Sequence, residues 1–442
     1  LLTSEQVTEL RRGSGLDPGV DWERFATDSP EGRICQERSA LLTPPRTVGR
    51  PLPVLPTTSG IRTSGRTSTQ EAFGRVVTEL SRIDELRPFL VTTAPDVASS
   101  TSLCGLNNRV GVFAPQEERT WSEDAALKWR ENPTGQHVEL GISEMNLFTM
   151  LEALGRSADV NDQRLLPIGT VYDPFVLRGL DAFVHATYSG SRFVVAGTPS
   201  GVTLAPEGGA HQSSVTASIG IELPGVVLHA PAFAQALDWL LVDALAHVAG
   251  AAPDTAPDLR SAELAQYFRL STRMLDQSPF EEARLRLGDA VLRRHVLAGA
   301  YVLVDGRERM AEADRDEHGH LPTVYLVGTG AVLPEVLLAA AELADEGVIA
   351  HVIDVTSPGR LYRSWQRTIR QGVRTATTPS MAGTLRAVMP EPAPIVTVHD
   401  ASSHTLAWLG SAGGMPQVCL GVDEFGQSGT VADLYHAHDL DA

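Results

Sequence analysis

The chain has 442 residues, 43% of them hydrophobic and 20% charged, the balance of a folded globular protein rather than a disordered one. Its formal charge of −18 repels nucleic acid and anionic membrane, so neither is expected as a partner. No window approaches the roughly 18 apolar residues of a membrane span. LLTSEQVTELRR at the start lacks the apolar run of a signal peptide, and three scattered cysteines without CxxC spacing fit a reducing cytoplasm.

Residues 1–60 form an extended N-terminal segment and linker with one short helical pattern, Ser4 to Arg12. The linker, TPPRTVGRPLPVLPTT from Thr43 to Thr58, carries five prolines and is expected to be extended. From 61 to 275 helix and strand patterns alternate. A helix capped at Thr67–Thr69 runs to Leu80, and a strand follows at Phe89–Thr93. A helix from about Gly141 carries the apolar stripe Leu147, Phe148, Leu151 and Leu154. Strands at Leu165–Thr170, Arg192–Thr198, Gly225–His229 and Tyr267–Ser271 alternate with helices at Pro174–Tyr188 and Phe233–Val248.

The charged stretch Asp276–Arg294 opens a second unit, 276–442. Its strands fall at Thr323–Gly328, Val348–Val355, Ile395–Val398 and Val418–Val422, and its helices near Leu333–Asp345, Tyr362–Arg370 and Thr430–His436. Continuous apolar strands between amphipathic helices predict α/β architecture: two consecutive open, mostly parallel-sheet domains.

Glu144 lies on the apolar stripe of its own helix. Spacing serves two readings. Ser143 can be an N-cap with Glu144 offsetting the helix dipole, which spacing alone favours. Alternatively, a carboxyl in apolar surroundings, its pKa raised, can share a proton with a buried base. The glycine-rich loop GTPSGVTLAPEGGAHQSS, Gly197 to Ser214, leaves a strand and holds Glu207 and His211. Loops after strand C-termini are where open α/β sheets bind ligands. In GTVYDPF, Tyr172 and Phe175 can present one aromatic surface or simply pack in the core. His318-x-His320 and His436-x-His438 lie in polar, acid-rich stretches without a third ligand, and solvated surface is expected for both. No metal ligands are assigned.

TTAPDV, GQHVELGISEMN, LLPIGTVYDPF, TPSGVTLAPEGGAHQS and GVDEFGQSG together resemble the C-terminal half of the homodimeric-type pyruvate dehydrogenase decarboxylating component. That group falls within the transketolase family of thiamine diphosphate enzymes. The resemblance covers nearly the whole chain from about Pro51. It implies a pyrimidine-binding domain at 61–275 and a transketolase C-terminal-like domain at 276–442. It makes Glu144 the residue that hydrogen-bonds the cofactor's aminopyrimidine, with Tyr172 and Phe175 around that ring. It implies a substrate-facing role for His211, and places Glu207 and Asp96 along the cofactor and substrate funnel.

The chain departs from the family at one point. No GDG segment, which with a downstream Asn anchors the diphosphate through Mg²⁺ in these enzymes, occurs in the 442 residues. VDGRER, Val304 to Arg309, lacks the leading glycine. The resemblance therefore implies either a fragment or a split enzyme. In the split case a diphosphate-binding partner chain supplies the Mg²⁺ ligands, as an α2β2 heterotetramer. The expected reaction is decarboxylation of a pyruvate-like 2-oxo acid with transfer of the acyl unit to an acceptor such as a lipoyl carrier. The alternatives are a carboligase or transketolase-like two-carbon transfer, and a non-catalytic scaffolding subunit.

Overall fold

The computed structural model describes residues 2–16, 24–42, 48–116, 128–250, 263–309, 321–377 and 383–441. His318 and His320 lie outside them. Residues 1–49 form one compact unit and 50–442 another. The first holds the expected helix, Ser4–Gly13, closed by a Thr3 capping box. It also holds a helix that the sequence reading left extended, Pro30–Leu42, whose proline and first-turn Glu31 are favourable at a helix start.

Besides a two-stranded antiparallel pair, Arg66–Thr67 with Leu275–Asp276, the second unit contains two open sheets. One has eight strands, all paired in parallel, in the order Glu131–Asn132, Val112–Phe113, His137–Glu139, Leu90–Ala94, Leu166–Val171, Phe193–Gly197, Ala265–Arg269, Val226–His229. The first three were not predicted, being too short to show periodicity. Leu166–Val171 and Phe193–Gly197 are buried at every position, as expected of strands covered on both faces. The other sheet runs Tyr301–Val304, Ile349–Asp354, Thr323–Thr329, Ile395–His399, Gln417–Leu420. It is parallel except for its first strand, the one that VDGRER follows, which pairs antiparallel with Ile349–Asp354.

The stretch Asp276–Arg294, expected only as a charged separator, folds largely into two helices, Ser278–Leu287 and Asp289–Ala298. Their charged faces hide a buried line of Phe280, Ala283, Leu292, Val296 and Leu297. This line belongs to a core that also takes in Val194 and Phe268 of the first sheet and Leu326 and Val352 of the second. One buried ion cluster joins the two sheets' layers. Arg360 donates to Asp243 (2.7 Å), Glu263 (3.0 Å) and the Leu297 carbonyl (2.8 Å).

Parallel strands place their C-termini along one edge. The carboxyl edges of the two sheets face each other: Ala230, just beyond Val226–His229, donates to Thr356 O (2.9 Å) and accepts from Thr329 Oγ1 (3.2 Å). Every motif singled out in the first sheet emerges on that edge.

Candidate active site

The Glu144 helix spans Glu144–Gly155 and begins three residues later than the apolar pattern suggested. Ser143 is its N-cap, accepting from Asn146 N at 3.4 Å. Leu147, Phe148 and Leu151 are buried, and so is Glu144, at 7% exposure. Glu144 is therefore a first-turn acid that also faces inward. Its surroundings are not purely apolar, however. Arg178 Nη1 lies 3.3 Å from Glu144 Oε1, and the Arg178 side chain is 56% exposed.

Arg178 comes from the segment after Leu166–Val171. The expected helix from Pro174 to Tyr188 is divided into a 3-10 stretch, Asp173–Gly179, and an α-helix, Leu180–Tyr188. The division brings Gly179 against the Glu144 helix, where an added Cβ would collide with Phe148 and the Glu144 carbonyl. The tight stretch aims both rings and the guanidinium at one place. The Arg178 Cζ lies 3.8 Å from the Phe175 ring centroid. Tyr172 stacks on Phe175 at 6.0 Å, and His211 meets Phe175 edge-on at 5.2 Å. Glu144 and His211, distant in sequence, thus join Tyr172 and Phe175 in one connected group, with Arg178 touching both Glu144 and the Phe175 ring.

His211 closes a short 3-10 turn, Gly209–His211. Its Nδ1 is buried and has no hydrogen-bond partner among the described residues. The turn is pinned by the loop of GVDEFGQSG: Gln212 Nε2 donates to Gln427 O (3.2 Å), and a Cβ on Gly209 would strike the Gly426 carbonyl. The terminal motif therefore serves the histidine loop.

Glu207 and Asp96 stand apart. Both are exposed, and no described contact joins them to the other four. Asp96 holds a left-handed backbone (φ 65°) while its N–H donates to Glu139 Oε1 at 2.7 Å. Burial pushes the Glu139 carboxyl up, but His137 and the Asp96 and Leu140 amides outweigh it and hold it below the usual range. VDGRER places Gly306 against the Ala350 backbone. His436 is solvated and pairs with Asp441 (2.8 Å), whereas His438 is half-buried, contrary to expectation. Among the described residues, no group of three or more His, Cys, Asp or Glu is arranged to hold a metal ion.

Sequence reasoning missed the polar cluster directly behind the aromatic pair. Asp173 is fully buried. It accepts from Ser213 Oγ and Tyr267 OH in short bonds, from Thr216 Oγ1 at 2.6 Å and from Arg269 Nε at 3.0 Å. Arg269 continues to the Asp400 carbonyl (3.1 Å) and His399 (3.4 Å) at the edge of the second sheet. Asp400 accepts from Val202 N at 2.8 Å. Burial pushes its carboxyl up to about 7 against the pull of Arg269; burial and Arg269 together hold His399 well below the ordinary imidazole value. An arginine and a histidine-aspartate pair ending otherwise apolar strands, YFR and VTVHD, were the available signal.

A pyruvate dehydrogenase E1 component middle-domain model matches residues 55–252, and a transketolase-like C-terminal domain model matches 299–441. The chain belongs to the transketolase family of thiamine diphosphate enzymes. Family relatives include the pyruvate dehydrogenase E1 components of Haemophilus influenzae, 26% identical over 85% of this chain, and Mycolicibacterium smegmatis, 24% identical over 82%. The chain spans only 40% and 37% of their lengths. Campylobacter jejuni transketolase shares the fold at a TM-score of 0.63 and 15% identity, over 99% of this chain and 57% of that one. A split-gene transketolase, solved as an inactive β4 tetramer, matches at 0.50 and 18% identity, over 85% of this chain and 94% of that chain. At these identities the structures speak for the fold alone.

Proposed function

We propose that this chain supplies the pyrimidine-binding half of a thiamine diphosphate-dependent 2-oxo acid decarboxylase that passes the acyl unit to an acceptor such as a lipoyl carrier. A partner chain completes the site with the diphosphate and Mg²⁺ ligands, most simply in an α2β2 assembly in the cytoplasm. The observation that carries this reading is the meeting of Glu144, Tyr172, Phe175 and His211 at one strand edge. The family models supply the chemical class. The partner reading is supported by the likeness in fold to a split-gene transketolase, 94% of which this chain covers.

These residues suit the cofactor. A buried carboxylate can hold a proton at a ring nitrogen, and adjoining aromatic faces can hold a flat ring. A buried imidazole nitrogen without a partner among the described residues can donate to a substrate carbonyl or carboxylate. Thiamine diphosphate, when bound, supplies the electron sink for the pair left as carbon dioxide departs. Glu144 holds the aminopyrimidine, Tyr172 and Phe175 orient it, and the His211 loop keeps one side of the site dry. Asp96 and Glu207, exposed on the flanking loops, line the cofactor and substrate funnel, Asp96 toward the cofactor and Glu207 toward the substrate.

The test combines the full chain with a GDG-bearing partner and measures cofactor binding by calorimetry and carbon dioxide release from pyruvate. Tight binding is expected of the pair with Mg²⁺ and not of this chain alone. Stoichiometric tight binding by the single chain overturns the partner requirement. Acyl-lipoyl product supports the dehydrogenase-type reading, and an acyloin product replaces it with carboligation.

A further inference from the structure

Asp173 is the most completely satisfied carboxylate in the neighbourhood of the site, and its four donors come from separate parts of the chain. Tyr267 and Arg269 stand on the strand Ala265–Arg269, Ser213 in the loop after Phe193–Gly197, and Thr216 at the start of the helix Thr216–Glu222. Its own amide donates to Pro199 O at 3.3 Å, and the Thr198 amide to Val171 O at 2.8 Å. Both ends of the loop carrying Glu207 and His211 are therefore tied to the segment YDPF.

The spacing gives these ties a consequence. Tyr172 is one residue before Asp173 and Phe175 two after, while His211 is two residues before Ser213. The Ser213 hydroxyl, donating to Asp173, also accepts from Gly201 N (3.2 Å) and Arg269 Nη2 (3.0 Å). One hydroxyl thus connects the loop's beginning, its end and the carboxylate under the rings. A Cβ on Gly197 would strike Asp173, and one on Gly201 would strike Asp400, so the backbone leaves little room for another arrangement.

We propose that Asp173 is the positioning residue of this site, holding His211 against the Phe175 ring through Ser213 and Thr216 without touching substrate or cofactor. The inference rests on the proposed role of His211. Its consequence for turnover follows from geometry: misplacing a reacting group by about 1 Å can cost about 100-fold.

The test uses the full chain carrying ring-¹³C histidine, with the His211 signal assigned by His211→Gln. At 5.2 Å from Phe175, that signal is displaced from its free-peptide position by the ring current. In Ser213→Ala, which leaves the Asp173–Arg269 ion pair intact, at least half of the displacement should vanish with the fold retained. Asp173→Ala should remove nearly all of it, and Asp173→Asn, which keeps an acceptor and the side-chain shape, should restore part. In the reconstituted pair, Ser213→Ala should lower kcat about 10- to 100-fold and change the Kd for thiamine diphosphate less than 3-fold. An unmoved His211 signal in folded Ser213→Ala overturns the proposal, even if Asp173→Ala fails to fold. The NMR measurement needs neither partner nor cofactor. A displaced signal with an inactive wild-type pair would count against the decarboxylase reading and leave the positioning role standing.

Discussion

Glu144 and Asp173 are both buried carboxylates, each the first residue of its own helical stretch, and they are held in opposite ways. Asp173 is enclosed and accepts from four donors, one of them the buried Arg269. Among the described residues Glu144 has a single guanidinium partner, 3.3 Å away on a side chain that is 56% exposed. A carboxylate saturated by its own protein has little capacity left for a ligand and much to lose on removal. One held by a single movable partner can exchange it for a ligand at small cost. Burial alone does not separate a working acid from a structural one; the count and solvent access of its partners do.

The largest expected effect on stability is at Asp173. Asp173→Ala leaves Arg269 buried without its ion-pair partner and should cost about 3–5 kcal/mol in urea unfolding. A loss below about 1 kcal/mol would place Asp173 with Glu144 and erase the contrast. Asp400, in the same corner, offers a pH-dependent version of the test. Its native pKa, about 7, lies above the roughly 3.9 of an unfolded aspartate. The stability it contributes is therefore full below about pH 4 and lost as pH rises through about 7. Asp400→Asn should gain about 3 kcal/mol relative to wild type between pH 5 and pH 8. A constant difference across that range would show that its titration is not linked to folding. Smallest is Arg178→Ala, a half-exposed partner whose loss should cost about 1 kcal/mol or less; a larger drop would mean that Arg178 is itself structural.

Much of this was legible in the sequence where a physical constraint left a periodic trace. The parallel strands Leu166–Val171 and Phe193–Gly197 are apolar runs because both faces are covered, and Leu333–Asp345 forms the helix its stripe predicts. Glu144 was visible as an acid on an apolar face. What escaped notice depended on contacts between distant segments. Short strands such as His137–Glu139 exist because neighbours offer partners, not because three residues carry a pattern. The helix Asp289–Ala298 looked like a charged separator because only Leu292, Val296 and Leu297 turn inward. Asp173, in YDPF, carries no local signal, because its partners lie 40 to 96 residues away. Arg178 was overlooked because no local rule sets an arginine three residues after Phe175 against a carboxylate 34 residues earlier.

The most direct measurement pairs two readouts on Glu144→Ala: carbon dioxide release from a 2-oxo acid by the reconstituted pair, and the urea midpoint of the chain alone. Turnover should fall about 10²- to 10⁴-fold while stability changes by less than about 1 kcal/mol. Undiminished turnover, or a stability loss as large as that expected of Asp173→Ala, would contradict the assignment of Glu144 as the acid that works on the cofactor.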